Sequence, residues 1–150
     1  SFFDKQLINR NFKINSGRSE ILLSEVFVTT LIGKNDYLKV DESIKKDSLL
    51  TQFRDSDFTE AYVVNSSNKL IGKVKVNDLL KAGDQIKPSD PLIISETDTI
   101  SDAIEKASNF VGESIPVLDK DNKLLGVITE ADLFSQYLEV QSTISNIEKD

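Results

Sequence analysis

The chain has 150 residues, 39% of them hydrophobic, which is enough to bury about 68 to 70% of the surface that the unfolded chain exposes. It contains no cysteine and no histidine, so disulfides, thiolate or imidazole metal sites and imidazole-activated nucleophiles are excluded. The net charge of −7 argues against a surface for nucleic acid or anionic membranes, because both need clustered lysine and arginine.

Residues 1–25 are predicted to form a short helical connecting arm. Residues 2–8 carry apolar side chains at partial helical spacing, residues 15–17 are a turn signal, and the apolar run at 21–23 indicates a second short helix. No apolar run approaches the roughly 20 residues of a membrane span. The chain contains no methionine, so we expect it to be a piece of a longer protein.

Two copies of one unit are predicted after the arm. Residues 69–79 reappear 54 positions later at 123–133, and with no gap residues 61–64 fall on 115–118. A strand followed by a turn into a short helix cannot bury its own apolar face, so we expect the copies to pack together about a pseudo-twofold axis. The predicted fold class is therefore α+β, and the cleft between the copies is the predicted place of function.

Each copy is predicted to follow the order β-α-β-β-α. The elements of the first copy are a strand at 37–40, a helix at 44–53 with Ser43 as its N-cap, a strand at 61–64, a turn at 65–68, a strand at 70–75 and a closing helix. Those of the second copy are a strand at 92–94, a helix from 98 or 99 to 109, a strand at 114–118, a turn at 119–122, a strand at 124–129 and a helix from Glu130. The predicted divisions are the arm at 1–25, a first repeat at 26–80, a linker at 81–87, a second repeat at 88–138 and a C-terminal tail at 139–150.

The sharpest local pattern is at residues 126–132, where a strand ends and a helix begins at Thr129. The first amides of such a helix are unpaired and carry partial positive charge, which suits a phosphate, and Asp132 could accept two hydrogen bonds from a ribose. The same Thr-x-x-Asp spacing also fits a capping box, which needs no ligand and contributes about 1 kcal/mol. The sequence leaves both interpretations open.

The first copy departs from this pattern at the cap position, where Lys75 replaces the threonine while Asp78 is retained. A lysine side chain cannot accept a hydrogen bond from a backbone amide. Lys75 could instead neutralise a phosphate, or simply be solvated, and Asp78 could favour the helix dipole.

The doubled unit resembles a known family. The β-α-β-β-α repeat, the Gly-hydrophobic-x-Thr-x-x-Asp pattern at 126–132 and the preceding Ser-Ile-Pro-Val at 114–117 are similar to a tandem pair of cystathionine β-synthase (CBS) domains, often called a Bateman module, over about residues 26–138. The resemblance implies a three-stranded sheet with two helices in each repeat, packing of the sheets across a pseudo-dyad, and two clefts of the kind that commonly bind adenine nucleotides.

The resemblance also implies site residues. In the first-ranked cleft Asp132 would hold the ribose and Thr129 would line the phosphate end, while the opposite repeat would supply Thr29, Thr30, Phe58, Thr59 and Ala61. A possible second site would combine Lys75, Asp78, Ser114, Ile115 and the linker near Pro91. The second site ranks lower because Lys75 and Tyr62, which stands where the second copy has Pro116, depart from the family pattern.

The arm carries a further resemblance. Asp4-x-x-Leu7-x-x-Arg10, followed by Ile14-x-x-Gly17-Arg18, is similar to the segment that joins the membrane domain of prokaryotic CLC chloride channels and transporters to their cytoplasmic CBS tail. This resemblance implies a cytoplasmic domain of an inner-membrane protein, whose transmembrane channel domain is absent from this chain, and pairing of two modules into a homodimer.

The predicted function is therefore regulatory: ATP, ADP or AMP in one cleft would modulate an attached chloride channel or transporter, and no other cofactor is required. The alternatives are a ligand-free dimerisation scaffold and a regulatory module of another membrane transporter or enzyme. Catalysis by the chain itself is not predicted, because acidic pairs such as Asp119 and Asp121 lie in predicted turns and no catalytic set converges. No metal site is predicted.

Overall fold

A computed structural model describes residues 18–149 of the chain. The predicted helical spacing at 2–8 and the turn signal at 15–17 lie outside the described residues. The elements follow in this order: α1 (Arg18–Glu25), a 3-10 helix (Val28–Leu31), β1 (Leu38–Asp41), α2 (Lys46–Arg54), β2 (Glu60–Val64), β3 (Leu70–Lys75), α3 (Val76–Lys81), β4 (Ile94–Ser95), α4 (Ile100–Lys106), a second 3-10 helix (Ala107–Asn109), β5 (Ile115–Leu118), β6 (Leu124–Ile128) and α5 (Glu130–Lys149).

The strands form two sheets of the same design. In the orders β1-β2-β3 and β4-β5-β6, the first pair of each sheet is parallel and the second pair is antiparallel. Val63 lies opposite Gly72 in the first sheet and Val117 lies opposite Gly126 in the second, and each valine is followed by a shift in register. These positions differ by the same 54 residues as the sequence repeat, so the predicted α+β repeat fold is confirmed.

The two sheets meet at their hairpin turns. Asn68 and Asn122 occupy the left-handed region with φ of 62° and 64°, which asparagine tolerates better than most residues. The Leu70 amide donates to the carbonyl of Asn122 at 3.0 Å, and the Leu124 amide donates to the carbonyl of Asn68 at 3.0 Å. This reciprocal pair of hydrogen bonds shows that the repeats are related by a pseudo-twofold axis.

An apolar layer fills the space between the sheets next to those turns. Its buried members are Tyr62, Val64, Leu118, Leu124 and Val127, with Tyr37 and Leu70 packed against them. Each repeat also has a core beneath its own helices, because the strands are covered on that side as well. Strands buried on both faces read as continuous apolar runs, which explains the burial of every residue of β2 and β5.

The chain that leads into the first repeat packs on the second repeat. Leu23, Val28 and Leu31 belong to the same buried cluster as Ile94 and the helices of the second repeat. The Val28 amide donates to the carbonyl of Asp98 at 2.9 Å, and α1 contacts both α4 and α5. The contacts of residues 26–31 are therefore made with the repeat that follows the linker, although the sequence assigned them to the first.

In the same way, the segment before β4, which leads into the second repeat, packs on the first repeat. Lys73 and Ser89 exchange backbone hydrogen bonds of 2.8 and 2.9 Å, which attaches the start of the second repeat to β3. A Cβ atom on Gly72 would lie 2.7 Å from Cβ of Pro88, and one on Gly126 would lie 2.5 Å from Cγ2 of Ile32. At both glycines the chain entering one repeat crosses closely over the other, against backbone at Gly72 and against a side chain at Gly126.

The predicted N-cap at Ser43 is wrong. Its backbone N–H and hydroxyl both donate to the carboxylate of Asp41, and these bonds hold the pKa of Asp41 below its ordinary value. The helix begins two residues later than predicted, at Lys46, with Lys45 as an N-cap that makes no side-chain bond. An aspartate two residues before a serine forms a local turn that competes with helix initiation.

The last helix continues beyond the predicted repeat. α5 runs through Glu130–Lys149, so most of the segment assigned to a tail belongs to it. Val140 packs against the core of the second repeat and Ile144 is buried, because their helical spacing places both on the inward face. Across residues 18–149, none of the helices combines the length and the apolar character that crossing a membrane requires.

Candidate functional site

Two hollows open between the repeats, and the 54-residue offset relates their walls. The first, which we call the threonine hollow, has a volume of about 160 Å³ and is lined by Asn35, Asp36, Tyr37, Phe58, Glu60, Glu113, Ser114 and Thr129. The second, the lysine hollow, has a volume of about 300 Å³ and is lined by Lys73, Lys75, Ser89, Asp90, Pro91, Leu92, Lys106, Asn109, Phe110 and Val111. Residues 35–37 of the first correspond to residues 89–91 of the second, and Thr129 corresponds to Lys75.

At the threonine hollow, the start of α5 is capped by its own side chains. The Asp132 amide donates to Oγ1 of Thr129 at 3.1 Å, and the Thr129 amide donates to Oδ2 of Asp132 at 2.9 Å. The same Oδ2 accepts a bond of 2.7 Å from Nδ2 of Asn35 in the opposite repeat. The capping interpretation of this motif therefore describes contacts that are made without a ligand, and Asn35 adds a link between the repeats.

The walls of the threonine hollow are acidic. Asp36, Glu60 and Glu113 line it, and none of the lysines and arginines among residues 18–149 does so. Its volume is below the roughly 300 to 1,000 Å³ of typical ligand pockets. Within residues 18–149, no group of three or more carboxylates is arranged to hold a metal ion. The hollow is therefore poorly suited to a nucleotide phosphate.

The lysine hollow differs in charge, because three lysines and one carboxylate, Asp90, line it. Lys73 and Lys106 each form an ion pair of 2.7 Å, with Glu60 and Asp98 respectively. Lys75 is exposed at the start of α3, and its side chain makes no cap bond there. An anion in this hollow would therefore meet at least one lysine whose charge is available.

A buried polar cluster separates the two hollows. Lys73 lies between Glu60 and the carbonyl of Ser114, at 2.7 and 2.9 Å from its Nζ atom. The Tyr62 hydroxyl donates to that same carbonyl at 2.9 Å and is 2.7 Å from the Ser114 hydroxyl. Burial raises the pKa of Tyr62 far above its ordinary value, so the ring stays neutral. Tyr62, which stands where the other repeat has a proline, thus has an interface contact of its own.

The predicted residues of the first-ranked cleft are only partly brought together. Phe58 and Thr129 line the threonine hollow, and Thr59 lies beside it with its N–H and hydroxyl bonded to Glu113. Thr29 and Thr30 are exposed in the first 3-10 helix, where Oγ1 of Thr30 donates to the carbonyl of Phe27 at 2.9 Å.

Two further predicted residues are inaccessible. Ala61 and Ile115 are fully buried in the cores of the first and second repeat. Ser114 lines the threonine hollow rather than the lysine hollow, while Asp78 is exposed in the first turn of α3. The sequence did not lead us to predict residues 35–37 as a wall of the threonine hollow. Applying the 54-residue offset to Asp90 and Pro91 would have pointed to them.

A third hollow lies on the outer face of the first repeat, between α2 and α3. Its volume is about 480 Å³, and its apolar lining includes Leu50, Phe53, Phe58, Val76 and Leu80. On the second repeat, α1 packs against the corresponding helices α4 and α5. Within the described residues, no helix packs over the equivalent face of the first repeat.

Comparison with known proteins finds a family model that matches the second repeat. The family model of the CBS domain matches residues 83–139. A curated relative, a homoserine O-acetyltransferase of Methanohalobium evestigatum, is 23% identical over 130 residues; these are 82% of this chain but only 25% of the relative, so the chain spans a quarter of that protein's length.

Solved structures with the same fold cover both repeats. A CBS domain pair/ACT domain protein of Thermotoga maritima has a TM-score of 0.64 at 21% identity, over 76% of this chain and 98% of its own. CBSX2 in complex with AMP has a TM-score of 0.61 at 23% identity, over 77% and 98% of the two chains. The CBS domain of a bacterial CNNM/CorC family Mg²⁺ transporter in complex with ATP has a TM-score of 0.62 at 15% identity, over 80% and 92%.

Proposed function

We propose that this chain, which has the fold of a CBS domain pair, is a regulatory module that binds an adenine nucleotide in the lysine hollow and thereby biases an attached membrane transporter. The observation that carries the proposal is the lining of that hollow, which has about 300 Å³ and contains three lysines and one carboxylate, Asp90. Lys73 and Lys106 are already paired, and in the described contacts Lys75 forms no ion pair, so its charge is the one that a ligand would meet. Two solved structures with this fold contain AMP or ATP, which supports the ligand class.

The lysine hollow is preferred over the first-ranked cleft of Asp132 for two physical reasons. The threonine hollow has about half the volume and acidic walls, so a phosphate there would be repelled at short range. The Asp132 carboxylate already accepts two hydrogen bonds, and engaging a ribose through Oδ2 would compete with both. Remote carboxylates matter little for the lysine hollow, because salt screens charges beyond about 8 Å.

We propose that the module is attached to a membrane transporter, whose ion is not specified. One solved structure with this fold belongs to an Mg²⁺ transporter, which supports a cytoplasmic domain beside a membrane part. The narrower prediction of a CLC-type chloride channel rests on residues 4–18, of which only Arg18 lies in the described range, and it stays a prediction. Regulation requires that the nucleotide bind one arrangement of the repeats more tightly than another.

Pairing of two modules into a homodimer stays a prediction. The apolar hollow between α2 and α3, with Leu80 62% exposed at its edge, is a surface that a second copy could cover. Sedimentation equilibrium of the chain would test this, and a mass of one chain at 100 μM would contradict it.

Isothermal titration calorimetry with ATP, ADP and AMP tests the nucleotide site. We expect dissociation constants between about 1 μM and 1 mM, equivalent to about −8 to −4 kcal/mol. Lys75→Met should weaken binding at least tenfold, whereas Asp132→Ala and the control Lys120→Met, in an exposed turn, should change it less than twofold. Loss of binding in Asp132→Ala, with binding retained in Lys75→Met, would indicate that the nucleotide binds in the threonine hollow instead. No heat with any nucleotide would favour the ligand-free scaffold.

A further inference from the structure

One ion pair forms part of the walls of both hollows. Lys73 lines the lysine hollow and Glu60 lines the threonine hollow, and Nζ of the lysine is 2.7 Å from Oε1 of the glutamate. Their side chains are only 5% and 7% exposed. A ligand in either hollow would therefore act on the pair from one side, while bulk water reaches it hardly at all.

The surroundings give the pair a second possible arrangement. The Lys73 ammonium also donates to the Ser114 carbonyl and lies 5.1 Å from the ring centre of Tyr62 and 5.4 Å from that of Phe110. These contacts support the ammonium without the carboxylate. Oε1 of Glu60 in turn accepts a bond of 3.1 Å from the Glu113 amide, at the wall of the threonine hollow. Each partner thus retains some support if the pair loosens.

We propose that the Glu60–Lys73 pair couples the two hollows. An anionic ligand in the lysine hollow attracts the Lys73 ammonium and loosens its bond to Glu60. The carboxylate is then left uncompensated at the wall of the threonine hollow, which already contains Asp36 and Glu113. An anion in that hollow, which its acidic walls already disfavour, is disfavoured further, so one chain takes up one nucleotide. This inference rests on the proposed function, because it needs an anion in the lysine hollow.

The coupling sets an affinity as well as a stoichiometry. A ligand that needs Lys73 can bind only those chains in which the lysine is released from Glu60. Its apparent dissociation constant is therefore the intrinsic one divided by the fraction of such chains. Removing the competing carboxylate should therefore tighten binding, and couplings between sites commonly amount to about 5- to 150-fold.

Calorimetry with ADP, without added Mg²⁺, compares the unmodified chain with two isosteric variants. Glu60→Gln should bind ADP at least fivefold more tightly. Glu113→Gln removes the same charge from the same hollow, but in the described contacts its carboxylate bonds Thr59 rather than Lys73, so it should change affinity less than twofold. In the double variant Glu60→Gln/Lys73→Met the gain should disappear. Equal effects of the two single glutamine variants would overturn the coupling.

A second readout needs no substitution. Because the Glu113 amide donates to Glu60, its ¹H–¹⁵N resonance should shift when ADP occupies the lysine hollow on the other side of the pair. An unshifted Glu113 resonance at saturation, or a stoichiometry of two, would overturn the coupling while leaving the nucleotide site in place. Failure of ADP to bind both the unmodified chain and Glu60→Gln would overturn the proposed function together with the coupling.

Discussion

Where the first repeat buries Lys73, the second repeat buries Val127 at the corresponding position. Likewise the first repeat carries Tyr62 where the second carries Pro116, and both are buried. The backbone pairings around these positions are the same in both sheets. The same register of strand pairing therefore supports two kinds of interface. The first repeat contributes directional polar bonds and the second contributes apolar packing.

The helices that close the repeats differ in the same way. α5 begins with reciprocal bonds between Thr129 and Asp132, whereas α3 begins at Lys75 without a side-chain cap. The second repeat therefore stabilises its closing helix locally, and the first leaves a charged side chain at its hollow. Four sets of substitutions test whether these differences affect stability as the geometry indicates, and they are given in decreasing order of expected loss.

Breaking the buried ion pair should have the largest effect. Lys73→Met leaves the Glu60 carboxylate buried without its cation and should lower the free energy of unfolding by about 3 to 5 kcal/mol. Urea denaturation followed by circular dichroism measures this. The double variant Glu60→Gln/Lys73→Met should recover most of the loss, because it removes both charges. A loss below about 1 kcal/mol in the single variant would contradict a directional polar interface.

The two crossing points should differ in how much they tolerate a methyl group. In Gly72→Ala the new Cβ would meet the Ser89 carbonyl at 2.8 Å as well as Pro88, so backbone must shift and we expect a loss of about 2 to 3 kcal/mol. In Gly126→Ala the nearest atoms all belong to the Ile32 side chain, which can move, so we expect the free energy of unfolding to fall by about 1 kcal/mol. Thermal unfolding of both variants measures these losses. A larger loss of stability for Gly126→Ala than for Gly72→Ala would refute this ordering.

Removing the Tyr62 hydroxyl isolates one hydrogen-bonded contact of the polar interface. Tyr62→Phe should cost about 1 kcal/mol, since Lys73 still satisfies the Ser114 carbonyl. Tyr37, which contacts Tyr62 edge to face with ring centres 5.9 Å apart, provides the matched control. Tyr37→Phe should change the free energy of unfolding by less than about 0.5 kcal/mol. Equal losses in both variants would show that the hydroxyl bond of Tyr62 has no special weight.

The two cap positions, Thr129 and Lys75, should give the smallest difference in the free energy of unfolding. Thr129→Ala removes the bond to the Asp132 amide and should cost about 1 kcal/mol. Lys75→Ala removes an exposed side chain that caps nothing and should stay within about 0.5 kcal/mol of the unmodified chain. Denaturant unfolding of the two variants side by side measures the difference, and a loss for Lys75→Ala as large as that for Thr129→Ala would contradict the assignment.

Much of the fold could be predicted because its signals are local. The offset between residues 69–79 and 123–133 predicted two equivalent units, and the apolar runs at 61–64 and 115–118 predicted their central strands. The Thr129–Asp132 spacing gave the cap that forms as one of two open interpretations. Ser43 misled because the competing acceptor, Asp41, turned the chain before the helix began.

The candidate site was less predictable, because hollows are formed by residues far apart in the chain. The prediction placed Ala61 and Ile115 at the ligand, but packing buries both in the cores. It omitted the walls at 35–37, which carry no motif of their own. The charge of each hollow depends on which side chains the opposite repeat supplies, and no local pattern records that.

The amino-acid sequence was sufficient to predict the repeat and its order of strands and helices, since each depends on neighbours within a few positions or on a repeated pattern. The three-dimensional packing was needed to show that Thr129 and Asp132 cap their helix, that residues 26–31 pack on the second repeat and that Lys73 is buried against Glu60. A lysine in a sequence is expected at the surface. Its burial here follows from the contact between the two repeats, which places a carboxylate, a carbonyl and two aromatic rings around it.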